Sequence, residues 1–419
     1  MKKLKCFVNI SLLFGASLLF TACPGKDDSG PAPNPPTPIN NGGNSGGGEN
    51  SGGGSTSGDN EYIASSFSGS GTQTNPYIIS KASELRKLAK DVNEGKTYSK
   101  QYFKMTANII INRNVLNSNG TPNSNTSSFE QWTPIGNSTY NTFCGVFDGN
   151  GYSISGIYAY GNDDQSTGLF GYLAGEVKNL SIDDSYIKGK YCGGIAGTIV
   201  TYLADPKISK CTNHGYVEGQ YAGGIIGQNE DSSCSIDRCI NYGTIVQQRE
   251  LSNIGGIGGL CNKTTITNCV NIGTVGAKSN FVLGTAGGIT AVCKQYGGLE
   301  IKNCVNFGSV ICPSGSTGIG SIASIIDNCV NYGDVYYGIC YSTYRKSTCN
   351  SYFLNVTCTR GVGVGGDDSK LKSSQCISMT RNEMQKQSFL DELNKNARNM
   401  GADFAKWKFG KDGCPSLDL

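Results

Sequence analysis

One histidine in 419 residues sets the first limit on what this chain can catalyse. His214 stands alone between Asn213 and Gly215, whereas a zinc helix of the His-Glu-x-x-His type needs two histidines. A serine or cysteine nucleophile would need His214 beside it together with an orienting acid, and nothing local favours that arrangement. Paired carboxylates could still act on a glycosidic bond without histidine. The candidate pairs are Asp163-Asp164, Asp183-Asp184, Glu230-Asp231 and Asp367-Asp368. All lie in turn-forming sequence, where acids serve solvation and turn geometry. Asp148-Gly149-Asn150-Gly151 invites a calcium reading, but it lacks the longer series of oxygen ligands of a calcium loop and suits a tight turn. No catalytic residue, metal ligand or cofactor is assigned; a polysaccharide lyase or glycosidase is the enzymatic alternative.

The residues that recur are of another kind. A ten-residue unit, Ile-x-x-Cys-x-Asn-x-Gly-x-Val, returns five times, with cysteines at 211, 239, 269, 304 and 329. Nothing is inserted within a unit, while the Cys-to-Cys gaps are 28, 30, 35 and 25 residues. A rigid unit with elastic connections is the signature of a stacked array. Cys, Asn, Gly and Val share one parity and would face one way along an extended chain. Ile has the opposite parity, so the chain must bend between Ile and Cys if both face inward. Gly suits a second corner, through positive φ or close backbone approach. Gly-Gly-Ile segments at 193–195, 223–225 and 287–289 complete the coil. The fold class is all-β, a parallel β-solenoid whose coils bury a core only by stacking.

On this register His214 faces outward. The asparagines at 213, 241, 271, 306 and 331 form an inward ladder that satisfies corner amides rather than a row of ligands. The five cysteines form a ladder of mostly free thiols, because Cys behaves as a small buried hydrophobe. Disulfides stay open for irregular cysteines, such as Cys349 with Cys358, or Cys234 with a neighbour. Variation is confined to the connections 199–207, 228–235, 246–254, 276–283 and 294–300, expected to project from one side of the rod. They supply the candidate binding residues Tyr202, Arg249 and Tyr296, side chains suited to stacking on sugars or making polar contacts.

Charged residues are only 16% of the chain and the net charge is +3, too little to imply nucleic acid as a partner. The start is basic, Lys2-Lys3-Leu4-Lys5, followed by an apolar run from Phe7 to Phe20 that is short for a membrane span. Phe20-Thr21-Ala22-Cys23 resembles a bacterial lipobox with cleavage before Cys23. That resemblance implies acylation of Cys23 and a membrane partner held by buried acyl chains. Lys26-Asp27-Asp28 resembles the tag that sends Bacteroidetes lipoproteins to the cell surface. Residues 29–60, nearly all Gly, Ser, Pro and Asn, form a flexible tether.

Folded sequence begins near Glu61. Ser80 reads as an N-cap, and Leu85, Leu88, Ala89 and Val92 form an apolar stripe over 81–94 closed by Gly95. This helix is expected to cover the open end of the stack. Thr380 and Glu383 have capping-box spacing, and Phe389, Leu390, Leu393 and Ala397 form a second stripe. The expected divisions are a signal peptide 1–22, tether 23–60, N-terminal cap 61–112, coils 113–360 and C-terminal cap 361–419. Trp132-Thr133-Pro134-Ile135-Gly136, Phe147-Asp148-Gly149-Asn150-Gly151-Tyr152, Gly168-Leu169-Phe170-Gly171 and Val177-Lys178-Asn179-Leu180 together resemble the GLUG-motif β-helix family of bacterial surface proteins. The resemblance spans residues 61–355. It implies a right-handed β-helix at the outer membrane, facing outward, with a non-catalytic binding or adhesion role toward a glycan or host-cell ligand. A passive surface stalk is the further alternative. Cys23→Ala should release the protein from the membrane fraction. Replacing Lys26-Asp27-Asp28 by alanines should keep it membrane-bound but shield it from added protease.

Overall fold

In-register stacking is the principle of the structure, a computed structural model. It describes residues 62–419 except 163, 202–204, 230–231, 277–283, 293–297, 313–314, 324, 344–349 and 356–375. Cys23, the tether, Tyr202, Tyr296, Asp163, Glu230-Asp231, Asp367-Asp368 and the Cys349–Cys358 pair lie outside the described residues. Equivalent strands of successive coils form four sheets of nine, ten, ten and seven strands. Seven coils between Val146 and Thr343 each give a strand to the first, second and fourth sheets. The chain is thus an all-β parallel solenoid with short helices at its two flanks.

The register is the one the repeat demands. Ile208, Ile236, Ile266, Ile301 and Ile326 stack in the first sheet. The five asparagines stack in the second, and Val217, Ile245, Val275 and Val310 in the third. The bend between Ile and Cys is made by the residue just before Cys. Lys210, Arg238, Asn268, Asn303 and Asn328 all take left-handed φ of 51–54°. Asparagine tolerates that region better than most residues. The unit's Gly works by close approach instead of positive φ: a Cβ on Gly243 would lie 2.0 Å from the Gly215 carbonyl oxygen, and one on Gly273 1.9 Å from that of Gly243.

Each asparagine amide is both donor and acceptor, so a column of them can satisfy itself. Nδ2 of Asn213 donates to Oδ1 of Asn241 at 2.9 Å, and the chain continues through Asn271 and Asn306 to Asn331 at 2.8, 2.8 and 2.7 Å. The same nitrogens donate to the Gly carbonyl two residues on, at 3.1 Å for Asn241 and 3.0 Å for Asn271. The amides fill the space opposite the Gly-Gly-Ile segments. A Cβ on Gly224 would meet Asn241 Oδ1 at 2.5 Å, and one on Gly256 would meet Asn271 at 2.4 Å. Phe353 takes the next place in the column and ends it.

The ladder cysteines are fully buried free thiols, and Cys234 is a buried free thiol as well. Sγ of Cys269 and Cys304 donate to the carbonyls of Thr267 and Lys302 at 3.1 and 3.2 Å. Removal from water raises the pKa of Cys211, Cys269 and Cys329 and so opposes thiolate formation there.

At the N-terminal flank, helix α1 (Ala82–Asn93) buries Leu85, Leu88, Ala89 and Val92. Lys81 rather than Ser80 is its N-cap. The Glu84 carboxylate reaches back to accept both backbone N–H groups, from Ser80 at 2.5 Å and Lys81 at 3.0 Å. At the other flank, Cys376–Met379 adds a strand to the second sheet. Thr380 then caps helix α2 (Arg381–Met384) through the expected box with Glu383. Helix α3 (Gln387–Met400) buries Phe389, Leu390, Leu393 and Ala397.

What these helices pack against corrects the expected C-terminal cap. Their apolar side, with Trp407, Cys414 and Leu417, meets Val270, Val305, Val330 and Tyr352. Those residues lie between the Cys and Asn places, or at the equivalent place of the next coil, and point outward. The segment therefore lies along the outer side of four coils. Asn303 Nδ2 donates to the Ala405 carbonyl at 2.9 Å, Asn328 Nδ2 to that of Leu393 at 3.1 Å, and Trp407 Nε1 to Asn303 Oδ1 at 2.6 Å. An outward stripe of valines needs a cover wherever it runs, and this one runs down the side.

Asn271→Ala would orphan the Asn241 amide N–H and the Asn306 carbonyl, at about 1–3 kcal/mol each. Cys269→Arg would bury an unpaired charge, at about 3–5 kcal/mol. Thermal unfolding should show both losses, and an unchanged melting temperature would refute the inward ladder. Truncation before Thr380 should lower the melting temperature and raise binding of an apolar dye by baring the valine stripe.

Candidate binding surface

The variable connections leave the coil at two places, not one. Those at 199–207, 228–235 and 294–300 join the fourth sheet to the first, whereas 246–254 and 276–283 interrupt the third. An insertion is tolerated at any turn, and gap length alone does not reveal which turn holds it. Arg249 sits half-buried in the third-sheet turn, where its carbonyl accepts from Gln247 Nε2 and Ser252 Oγ, both at 2.6 Å. Its connection interrupts the third sheet, whereas the connections that hold Tyr202 and Tyr296 run between described strands of the fourth sheet and the first. His214 faces outward as expected, with 37% of its side chain exposed. It stacks on Tyr242 at 4.6 Å and lies 4.0 Å from Asp183, and burial beside that ring lowers its pKa against the pull of the carboxylate. Asp184 accepts the backbone N–H groups of Val115 and Leu116, a structural task. In the Asp148 turn the carboxylate accepts from Asn150 N and Asn179 Nδ2 at 2.8 and 2.9 Å. Among the described residues, no cluster of three His, Cys, Asp or Glu could hold a metal.

The aromatic surface lies elsewhere, on the strands themselves. Tyr158–Tyr160, Tyr186–Gly193 and Tyr216–Gly223 are neighbours in the third sheet. Alternation turns one set of side chains inward, Ala159, Ile187 and Val217, and leaves the others outside. The register then builds outward columns. Tyr158, Tyr186 and Tyr216 form one, with ring centroids 6.1 and 5.8 Å apart. Tyr191 and Tyr221 form a second, stacked at 5.3 Å. Tyr160, Lys188 and Glu218 run between them. The flanking rings are half-buried and Tyr160 is 47% exposed. The two columns diverge at Gly189 and Gly219, which turn inward; a Cβ on Gly189 would press to 2.8 Å from Thr167 Oγ1.

Lys188 and Lys190 on this surface each have a carboxylate partner. Lys188 Nζ lies 3.1 Å from Glu218 Oε1 and 5.1 Å from the Tyr160 ring centre. Tyr186 donates its hydroxyl to Glu218 Oε2 at 3.1 Å. Burial and then the Glu218 charge push the Tyr186 phenol well above its ordinary pKa. For Lys188, burial opposes the charge, but the Glu218 carboxylate more than compensates and raises the pKa. Lys190 pairs with Asp164 at 3.1 Å on the rim. Beside Tyr160 a cavity of about 190 Å³ is lined by Gln131, Trp132, Thr133, Asp164 and Tyr172. A second, of about 370 Å³, shares Gln131, Trp132 and Thr133 and runs toward α1, where Arg86 and Glu130 form a two-point ion pair.

No protein-family model matches the chain. A stretch of 133 residues is 31% identical to a protein of Evansella cellulosilytica provisionally named a Gly-rich membrane protein, covering 31% of this chain. Another of 143 residues is 27% identical to halomucin of Haloquadratum walsbyi, covering 33% of this chain. The match spans only 14% of the first relative and 1% of the second. Among solved structures, the chain resembles a Bacteroides ovatus protein provisionally named an immunoglobulin A1 protease, with a TM-score of 0.52 and 20% identity over 83% of this chain and 94% of that one. At that identity the likeness is one of fold.

Proposed function

We propose that the chain is a non-catalytic glycan-binding module, lipid-anchored through Cys23 at the outer membrane and displayed on the cell surface. The observation that carries this reading is the pair of tyrosine columns flanking a polar centre. Aromatic faces cover the apolar faces of pyranose rings, and the hydroxyl, ammonium and amide groups between them suit sugar hydroxyls. The names of the two sequence relatives, one a membrane protein and the other a mucin by name, support a place at the cell envelope. The name of the structural neighbour suggests peptidase chemistry, but the lone, exposed His214 and the absence of a His-Glu-x-x-His run speak against carrying that activity over.

The test is a glycan array probed with the full chain carrying Cys23→Ala, followed by titration of the best ligands. Tyr186→Ala with Tyr216→Ala should weaken binding. Two rings at about 0.5–1.5 kcal/mol each predict a loss of roughly 5-fold to 150-fold. Far-ultraviolet circular dichroism should stay unchanged, because both side chains point away from the core. Absence of saturable binding would favour a passive stalk, and cleavage of any arrayed polysaccharide would favour a lyase or glycosidase.

A further inference from the structure

We infer that the tyrosine surface selects uncharged glycans and that Glu218 is the residue that enforces the selection; this rests on the glycan reading above. Lys188 occupies the middle of the surface, between the two tyrosine columns. Left alone, its ammonium would anchor the carboxylate or sulfate of an acidic sugar. Glu218, one coil further on in the same column and only 4% exposed, holds that ammonium at 3.1 Å. The column begins with Tyr160 before Lys188 and continues with Val246 after Glu218, so neither strand neighbour of the pair carries a charge. The remaining cation of these strands, Lys190, is matched by Asp164. An anionic sugar would therefore meet a buried carboxylate 3.1 Å from the central cation, and like charges repel strongly where water is scarce.

The same geometry suits hydroxyl groups. Tyr186 donates its hydroxyl hydrogen bond to Glu218, which leaves the phenol oxygen able to accept from a ligand. Lys188 keeps further N–H hydrogens beyond the one directed at Glu218. A sugar hydroxyl, at once donor and acceptor, can use both.

The experiment compares neutral hexasaccharides with uronic-acid hexasaccharides of matched linkage, titrated against the full chain carrying Cys23→Ala and against the same chain with Glu218→Gln. The unaltered surface should bind the neutral set in preference. Glu218→Gln should raise uronic-acid affinity at least 10-fold, in a salt-sensitive way, and Lys188→Gln in that background should abolish the gain. If Glu218→Gln folds poorly, Asp164→Asn frees Lys190 at a site whose acid is 92% exposed, and it should produce a smaller gain of the same sign. Equal or better binding of uronic acids by the unaltered chain, or an unchanged preference in the variants, overturns the inference and leaves glycan binding standing. Failure of every chain to bind any member of the panel overturns both.

Discussion

A residue in this solenoid has its own counterpart as its nearest neighbour, one coil above and one below, and most of the structure follows from that constraint. A side chain in the core must be able to stack on itself. Isoleucine and valine do so by packing, and cysteine does so as a small apolar group with a weak donor. Asparagine does so chemically, because an amide offers a donor upward and an acceptor downward in every coil. A buried carboxylate or ammonium column would instead place like charges one strand spacing apart. The requirement reaches across the core as well: amides of this size leave room only for hydrogen on the facing segment, and glycine stands there at 194, 224, 256, 288 and 318.

This explains why so much of the architecture is legible in one chain. Parity demands a bend between Ile and Cys, and the left-handed residues 210, 238, 268, 303 and 328 make it. The amphipathic stripes of α1 and α3 are buried as their spacing requires. The C-terminal segment departs from expectation because an apolar stripe shows that a helix has a partner without showing which. The clue lies in Val270, Val305 and Val330, apolar residues on the outward parity of a unit whose inward face is already complete.

The candidate surface is less legible for a related reason. Variable connections draw attention because they differ, yet they divide between two places in the coil. The tyrosines sit in the constant part, as Tyr186-Ile187-Lys188-Gly189-Lys190-Tyr191 and Tyr216-Val217-Glu218-Gly219-Gln220-Tyr221. Their spacing of 30 residues matches the coil, so the register could be drawn from sequence. Lys188 and Glu218 share that spacing and pair in the same register; what sequence does not supply is the shallow bend at the two glycines that sets the two columns apart.

The C-terminal cover gives the array a fixed length over part of its run. A solenoid can in principle gain or lose a coil by duplication or deletion, since each new coil meets the same surface it replaces. Here Asn268, Asn303 and Asn328 hold three successive points of a single folded segment, at Ala405, Trp407 and Leu393. An extra coil among them would move one anchor out of reach by a full strand spacing. The covered coils are consequently frozen in number, whereas those nearer α1, which carry the tyrosine surface, remain free to be multiplied, and with them the length of any chain they can hold.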